Sequence, residues 1–258
     1  MTEPQADATG PAIAEAAPEL FEGKAESGWT RMAMLAVVAG AYIAFGSIAY
    51  LVAQAGPPGG ATQLLSGLAF SVGLMLTMVT GAELFTGNTM FVLAVDRHRL
   101  TAGRMLTAWV VVWFGNLIGS VVIAVLFVTA GGGSGVEGLV GDSAVKVATS
   151  KVTKDTLALI ASGVLANMLV CLAVWMAMAA KSVPSKIIAV IGPVTVFVAA
   201  GFEHSIANQS LLAMGWLLQD GGAITGGAIA RNLALSTFGN ILGGMAVAMM
   251  LGRAQLDE

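Results

Sequence analysis

At 258 residues, 57% hydrophobic and 10% charged, with a mean hydropathy of +0.84, the chain lacks the polar side chains that a soluble domain needs to cover its surface. It reads as an α-helical integral membrane protein. Roughly six crossings of ~20 residues use most of that length, which excludes a large soluble domain. The net charge of −3 comes largely from an acidic N-terminal stretch and gives nucleic-acid binding no support, while the single cysteine, Cys171, excludes an intrachain disulfide.

Residues 1–28 carry six acids, Glu3, Asp7, Glu15, Glu19, Glu22 and Glu26, against one base, Lys24. With neither a basic start nor a long apolar core, they are not a cleaved signal peptide. The expectation is a cytoplasmic tail, either disordered or holding a short amphipathic helix over about 13–21 at the membrane surface. A channel domain over 29–253 follows, with a short tail at 254–258. Its first span covers about 32–52, and the second starts near Ala61, is interrupted from Gly81 and resumes to Val95. The third, about 105–128, carries Gly115-x-x-x-Gly119, small residues that let helices approach closely. The longest loop, 131–155, opens with Gly131-Gly132-Gly133-Ser134-Gly135 and holds Lys146, Lys151 and Lys154. The fourth span, about 157–178, contains Asn167 and Cys171. The fifth, bent at Pro193, breaks at Gly201 and resumes to Leu218, and the sixth covers about 228–250.

Two stretches inside broken spans match. Gly81-Ala82-Glu83-Leu84-Phe85-Thr86-Gly87-Asn88 and Gly201-Phe202-Glu203-His204-Ser205-Ile206-Ala207-Asn208 both read Gly-x-Glu-x-x-x-x-Asn, 120 positions apart. Phe114-Gly115-Asn116 likewise pairs with Phe238-Gly239-Asn240 at an offset of 124. Two matches in the same order argue for duplication, with repeats at about 30–130 and 155–253. Three spans per copy is an odd number, so the second copy enters the membrane inverted and spans 2 and 5 meet at their breaks near the midplane. For orientation, one side collects Lys24, Arg31, Arg97, Arg99, Arg104, Lys181, Lys186 and Arg253, and the other Lys146, Lys151, Lys154 and Arg231. Eight against four places both termini inside.

Glu203 and His204 lie within an apolar run, where an ionisable side chain costs at least ~2.5 kcal/mol and usually marks a pathway. Helix restarts near Thr86 and Ser205 would aim unpartnered N–H groups and positive dipole ends at the centre, which favours anions. Thr86 adds a hydroxyl, His204 an imidazole whose ordinary pKa is about 6.5, Asn116 and Asn240 amides in related places, and the outer lysines a field that concentrates anions. Each has a plainer reading: Glu83 and Glu203 tie down loose backbone donors at the breaks, the asparagines join helices by hydrogen bonds, and His98 is a solvated loop residue. With only two histidines and no cysteine cluster, a metal site or hydrolytic triad lacks ligands, so no enzyme activity and no cofactor are expected.

These motifs, together with Gly163-Val164-Leu165-Ala166-Asn167-Met168-Leu169-Val170-Cys171-Leu172-Ala173, resemble the signatures of the formate/nitrite transporter family over about residues 30–250. The resemblance implies an all-α, aquaporin-like protomer of six transmembrane helices in a homopentamer, each protomer passing small monovalent anions, nitrite or formate, with protons across the lipid bilayer of the cell membrane. It implies that His204 is the central pore histidine, with Thr86 its partner and Asn240 the amide facing them. Phe70, Leu74, Phe85 and Phe197 would form apolar constrictions, and Lys151 would attract anions outside them. Gln209 departs from the methionine common there, a change expected to affect only local packing. Glu-Leu-Phe-Thr-Gly-Asn-Thr-Met-Phe from Glu83 and the glycine run after the third span resemble the nitrite-type members most. Alternatives within the fold are a hydrosulfide or a lactate/acetate-type channel, and outside it a neutral-solute pore, which Glu83, Glu203, His204 and the lysines oppose.

Overall fold

The computed structural model describes residues 8–256. Its helices in chain order are α1 (Gly10–Ala25), α2 (Trp29–Gln54), α3 (Gly60–Thr80), α4 (Phe85–Asn88), α5 (Val92–Asp96), α6 (Ala102–Thr129), α7 (Leu139–Thr153), α8 (Thr156–Ala179), α9 (Val183–Ala199), α10 (Ser205–Leu218) and α11 (Gly226–Ala254), with 3-10 turns at Thr89–Phe91 and Gly132–Ser134. Helices α2, α3, α6, α8 and α11 are long and apolar enough to cross a membrane, and α9 is a shorter apolar helix. The outward face of α6 is apolar, with Phe114 and Ile118 each 55% exposed. Such a patch suits hydrocarbon or a neighbouring protomer rather than water.

The repeat is visible in the packing. In the first half α2 packs on α3 and α6, and in the second α8 packs on α9 and α11, while α3 against α9 joins the halves. The Gly-x-x-x-Gly spacing works as expected and has a counterpart: a Cβ on Gly119 would lie 1.9 Å from the carbonyl oxygen of Val37, and one on Gly243 2.2 Å from that of Val164. Backbones this close leave room for hydrogen alone.

Two segments differ from expectation. The loop over 131–155 is mostly helix: Val140, Ala144, Ala148 and Val152 of α7, at spacings of four, are buried against α10 and α11, while Lys146 is exposed and Lys151 is drawn inward, its side chain largely buried. The tail takes the helical of its two expected forms, but as the longer α1 over Gly10–Ala25, and its apolar stripe packs into the core rather than on a membrane surface: Ile13, Ala14, Ala17 and Phe21 are buried and Phe21 meets the Phe91 ring at 6.0 Å. Glu3 and Asp7 lie outside the described residues. Each three-span half therefore begins with an amphipathic helix, which the polar residues between the apolar ones conceal.

Candidate functional site

Both broken spans are built alike. Helices α3 and α9 end at glycines in the left-handed conformation, Gly81 (φ 71°) and Gly201 (φ 68°), and the next residue reaches back five positions, Ala82 N–H to Thr77 O (3.1 Å) and Phe202 N–H to Phe197 O (3.0 Å). This is a Schellman stop, which a residue with a Cβ enters only with strain. The chain then runs extended and restarts as α4 and α10.

The backbone freed at each break is held by one asparagine. Asn116 on α6 accepts from Phe85 N–H at 2.9 Å and donates to Glu83 O (2.9 Å) and Ala36 O (2.7 Å). Asn240 on α11 repeats this, accepting from Ser205 N–H at 2.8 Å and donating to Glu203 O (2.9 Å) and Gly163 O (2.8 Å). Both amides are fully buried and engaged with backbone at every polar atom. Tying down the loose backbone therefore falls to the asparagines, and the glutamates do something else.

Each glutamate binds the asparagine five residues on and a lysine from the amphipathic helix of its own half. Glu83 accepts from Asn88 Nδ2 at 2.8 Å and pairs with Lys24 of α1 at 3.2 Å. Glu203 accepts from Asn208 Nδ2 at 2.7 Å, Lys151 Nζ at 3.1 Å and Lys154 Nζ at 2.7 Å. The first cluster is formally neutral, and the second, with two lysines on one carboxylate, is positive by one. Lys151 is thus no free vestibule charge; its side chain is 12% exposed and bound to a buried partner. Asn88, Asn208 and Lys24 have no role assigned from the sequence, although both asparagines close the repeated Gly-x-Glu-x-x-x-x-Asn, and Lys154, expected only as an outer charge, is a direct partner of Glu203.

The breaks meet where Thr86 Oγ1 and His204 Nε2 lie 2.9 Å apart. His204 caps α10, its Nδ1 accepting from Ala207 N–H at 3.0 Å. An acceptor carries no proton, so the neutral ring holds its hydrogen on Nε2 and donates it to Thr86. Thr86 is then free to point its own O–H elsewhere. Its carbonyl is pulled out of the helix ladder by Thr89 Oγ1 (2.6 Å) and Asn167 Nδ2 (3.2 Å), and the restart runs as α4, a 3-10 turn and α5 rather than one helix. Of the two expected dipole ends, only α10, at 14 residues, is an uninterrupted helix.

Phe197 stacks on His204 at 5.6 Å and 22°, and Phe70 meets Phe197 edge-on at 5.9 Å. They line a chamber of about 30 Å³ with His204, the share of roughly one water molecule. On the α7 side this chamber adjoins a cavity of about 350 Å³ lined by Lys146, Lys151, Lys154 and Glu203. A cavity of about 340 Å³ lies on the α1 side, lined by Phe21, Lys24, Leu84 and Lys186 among others. Leu74 is buried one turn beyond Phe70. Phe85 is not brought together with the other two rings: its ring lies 6.3 Å from that of Trp109 on α6, and the preceding residue, Leu84, lines the α1-side cavity. An extended backbone alternates its side chains, so the neighbour of the more conspicuous aromatic holds the cavity position. Gln209 lines neither cavity nor chamber and donates to Trp113 O at 3.4 Å, a packing contact on α6.

The model of the formate/nitrite transporter family matches residues 11–253. The chain is 35% identical over 253 residues to the formate channel FocA of Escherichia coli strain K12, covering 90% of this chain and 89% of that protein. To the nitrite transporter NirC of the same strain it is 39% identical over 226 residues, 87% and 81% of the two. A solved pentameric formate channel with formate bound superposes with a TM-score of 0.76 at 34% identity, covering 86% of this chain and 95% of that one. Two halves that repeat one hydrogen-bond scheme around a pair of facing phenylalanine rings, with these likenesses over nearly the whole length, establish that the chain belongs to the formate/nitrite transporter family.

Proposed function

We propose that the chain forms a pathway through the cell membrane for small monovalent weak-acid anions, nitrite and formate first among them. The assembly is a homopentamer with one pore per protomer, both termini are cytoplasmic, and His204 couples passage to protonation. The observation that carries this reading is the Thr86–His204 pair behind the Phe70–Phe197 gate, with the net-positive Glu203 cluster on one side. The lysines attract an anion, but a bare anion at the gate would give up hydration that ring edges cannot replace, a cost far above that of a neutral polar group. A proton turns formate or nitrite into a small neutral acid that can pass.

The resting ring has both nitrogens engaged. Taking up a second proton, His204 must release Ala207 N–H, and it then holds a full positive charge beside the gate and a proton to give. Protonation and local opening of α10 are thereby one event. Once the proton has moved to the anion, the neutral ring recaps α10 and the neutral acid goes on past Leu84.

The test is flux through proteoliposomes for formate, nitrite, hydrosulfide and chloride side by side, with wild type and His204→Asn. Asparagine keeps a cap acceptor and cannot titrate, so the variant is expected to fold and assemble yet lose the pH dependence of weak-acid uptake. Unchanged pH dependence would put the proton transfer in the water of the α7-side cavity, with His204 a neutral donor. Water flux without anion flux in wild type would point to a neutral-solute pore instead.

A further inference from the structure

The α7-side cavity and the small gate chamber share three lining residues, Tyr50, Lys151 and Gly201. Gly201 offers no side chain. Lys151 already donates to Glu203, leaving two of its three N–H groups. Tyr50, near the end of α2, is half-buried, and its phenol is close enough to the Glu203 carboxylate to feel its charge. Its hydroxyl makes no hydrogen bond to the described residues, whereas the carboxamides of Asn116 and Asn240 are fully engaged. A tyrosine at the border of the Phe70–Phe197 pair, with an idle hydroxyl and a lysine in the same lining, is well placed to touch whatever enters.

Resting on the anion-pathway reading above, we propose that Tyr50 is a specificity-determining residue: its O–H and the free N–H groups of Lys151 form a two-point donor at the throat that selects anions carrying two oxygens on one atom. A carboxylate or nitrite accepts from phenol and ammonium together, one oxygen each, and arrives oriented at the gate. Hydrosulfide has a single, weakly accepting sulfur and gains little from the phenol. The arrangement therefore favours oxyanions at the loading step, before the chamber where His204 acts. Because the tyrosine hydroxyl holds no other protein group, its removal should leave the fold intact.

Tyr50→Phe keeps the ring and removes only the hydroxyl. In proteoliposomes the variant should raise the half-saturating concentration of formate and nitrite by roughly tenfold, the worth of one hydrogen bond to a charged acceptor, with maximal rates less affected and hydrosulfide uptake changed less than twofold. Equal shifts for all three anions, or no shift, would overturn the proposal while leaving the pathway reading standing. Failure of Tyr50→Phe to assemble, seen as a changed elution volume or lowered thermal transition, would overturn it too, since the hydroxyl would then be structural. Wild-type protein that carries none of the three anions would remove the pathway reading and this inference with it.

Discussion

Asn116 and Asn240 show how little chemistry a broken helix needs to be stable inside a membrane. Each places one carboxamide where two backbone groups of the break would otherwise be stranded, and ties them by a third bond to a carbonyl of α2 or α8. Asn240→Ala should cost about 3 kcal/mol or more, at ~1 kcal/mol per bond plus the burial of unpartnered groups, read as a lower thermal transition in detergent. Asn240→Asp, which keeps the acceptor for Ser205 N–H, should recover part of it. A loss confined to transport would instead give Asn240 a role in touching the anion. Lys151 makes a second case. An exposed charge acts through a field that salt screens over ~10 Å at 0.1 M, but the Lys151 ammonium is largely buried against Glu203. Lys151→Gln should therefore lower anion flux at low and high ionic strength alike, whereas Lys146→Gln, a change to an exposed charge lining the same cavity, should lower it mainly at low salt. Loss for Lys151→Gln at low salt only would restore simple recruitment.

Among the elements, α6 and α11 act as the beams on which the breaks are hung, and their contact with α2 and α8 depends on hydrogen atoms where other residues carry methyl groups. Gly119→Val would drive a Cβ to within 1.9 Å of Val37 O, which only backbone displacement relieves. Because α6 also carries Asn116, that displacement would pull the clamp from Phe85. Gly119→Val should abolish recovery of folded protein from membranes, and Gly103→Val, where an added Cβ meets nothing within 4 Å, should not. Equal yields would mean that α2 and α6 can separate freely. Helix α1 belongs to the same frame through its buried apolar stripe, Lys24–Glu83, and Arg99 with Glu22 at 2.7 Å.

For the molecule as a whole, the inverted repeat makes a prediction about sides. In protein with single cysteines introduced, Asp220→Cys and Asp142→Cys should react with an impermeant maleimide from outside cells, and His98→Cys only after the inner face is opened. The native Cys171 is fully buried and should remain silent. The same accessibility for positions 98 and 142 would rule out the inverted arrangement. Assembly is checked by light scattering of the purified protein, where the expected mass is five times the 26.1 kDa chain.

Much of this was legible in the sequence because membranes leave few options. Long apolar runs must be helices, so the spans were found to within a few residues. Glycine before a buried glutamate marked both breaks, since a chain that leaves a helix in the left-handed conformation needs glycine. A histidine in an apolar run marked the candidate site. What the sequence did not determine was which group touches which. Spacing along the chain brought Glu83 near Asn88, but only the packing of α1 and α7 brought Lys24, Lys151 and Lys154 to the glutamates, and only the opposition of the two halves put Thr86 at 2.9 Å from His204, 118 positions away. Whether Leu84 or Phe85 lines the α1-side cavity was likewise beyond it: in three residues of extended chain no period is long enough to read, and the choice of face is made by the helices on either side.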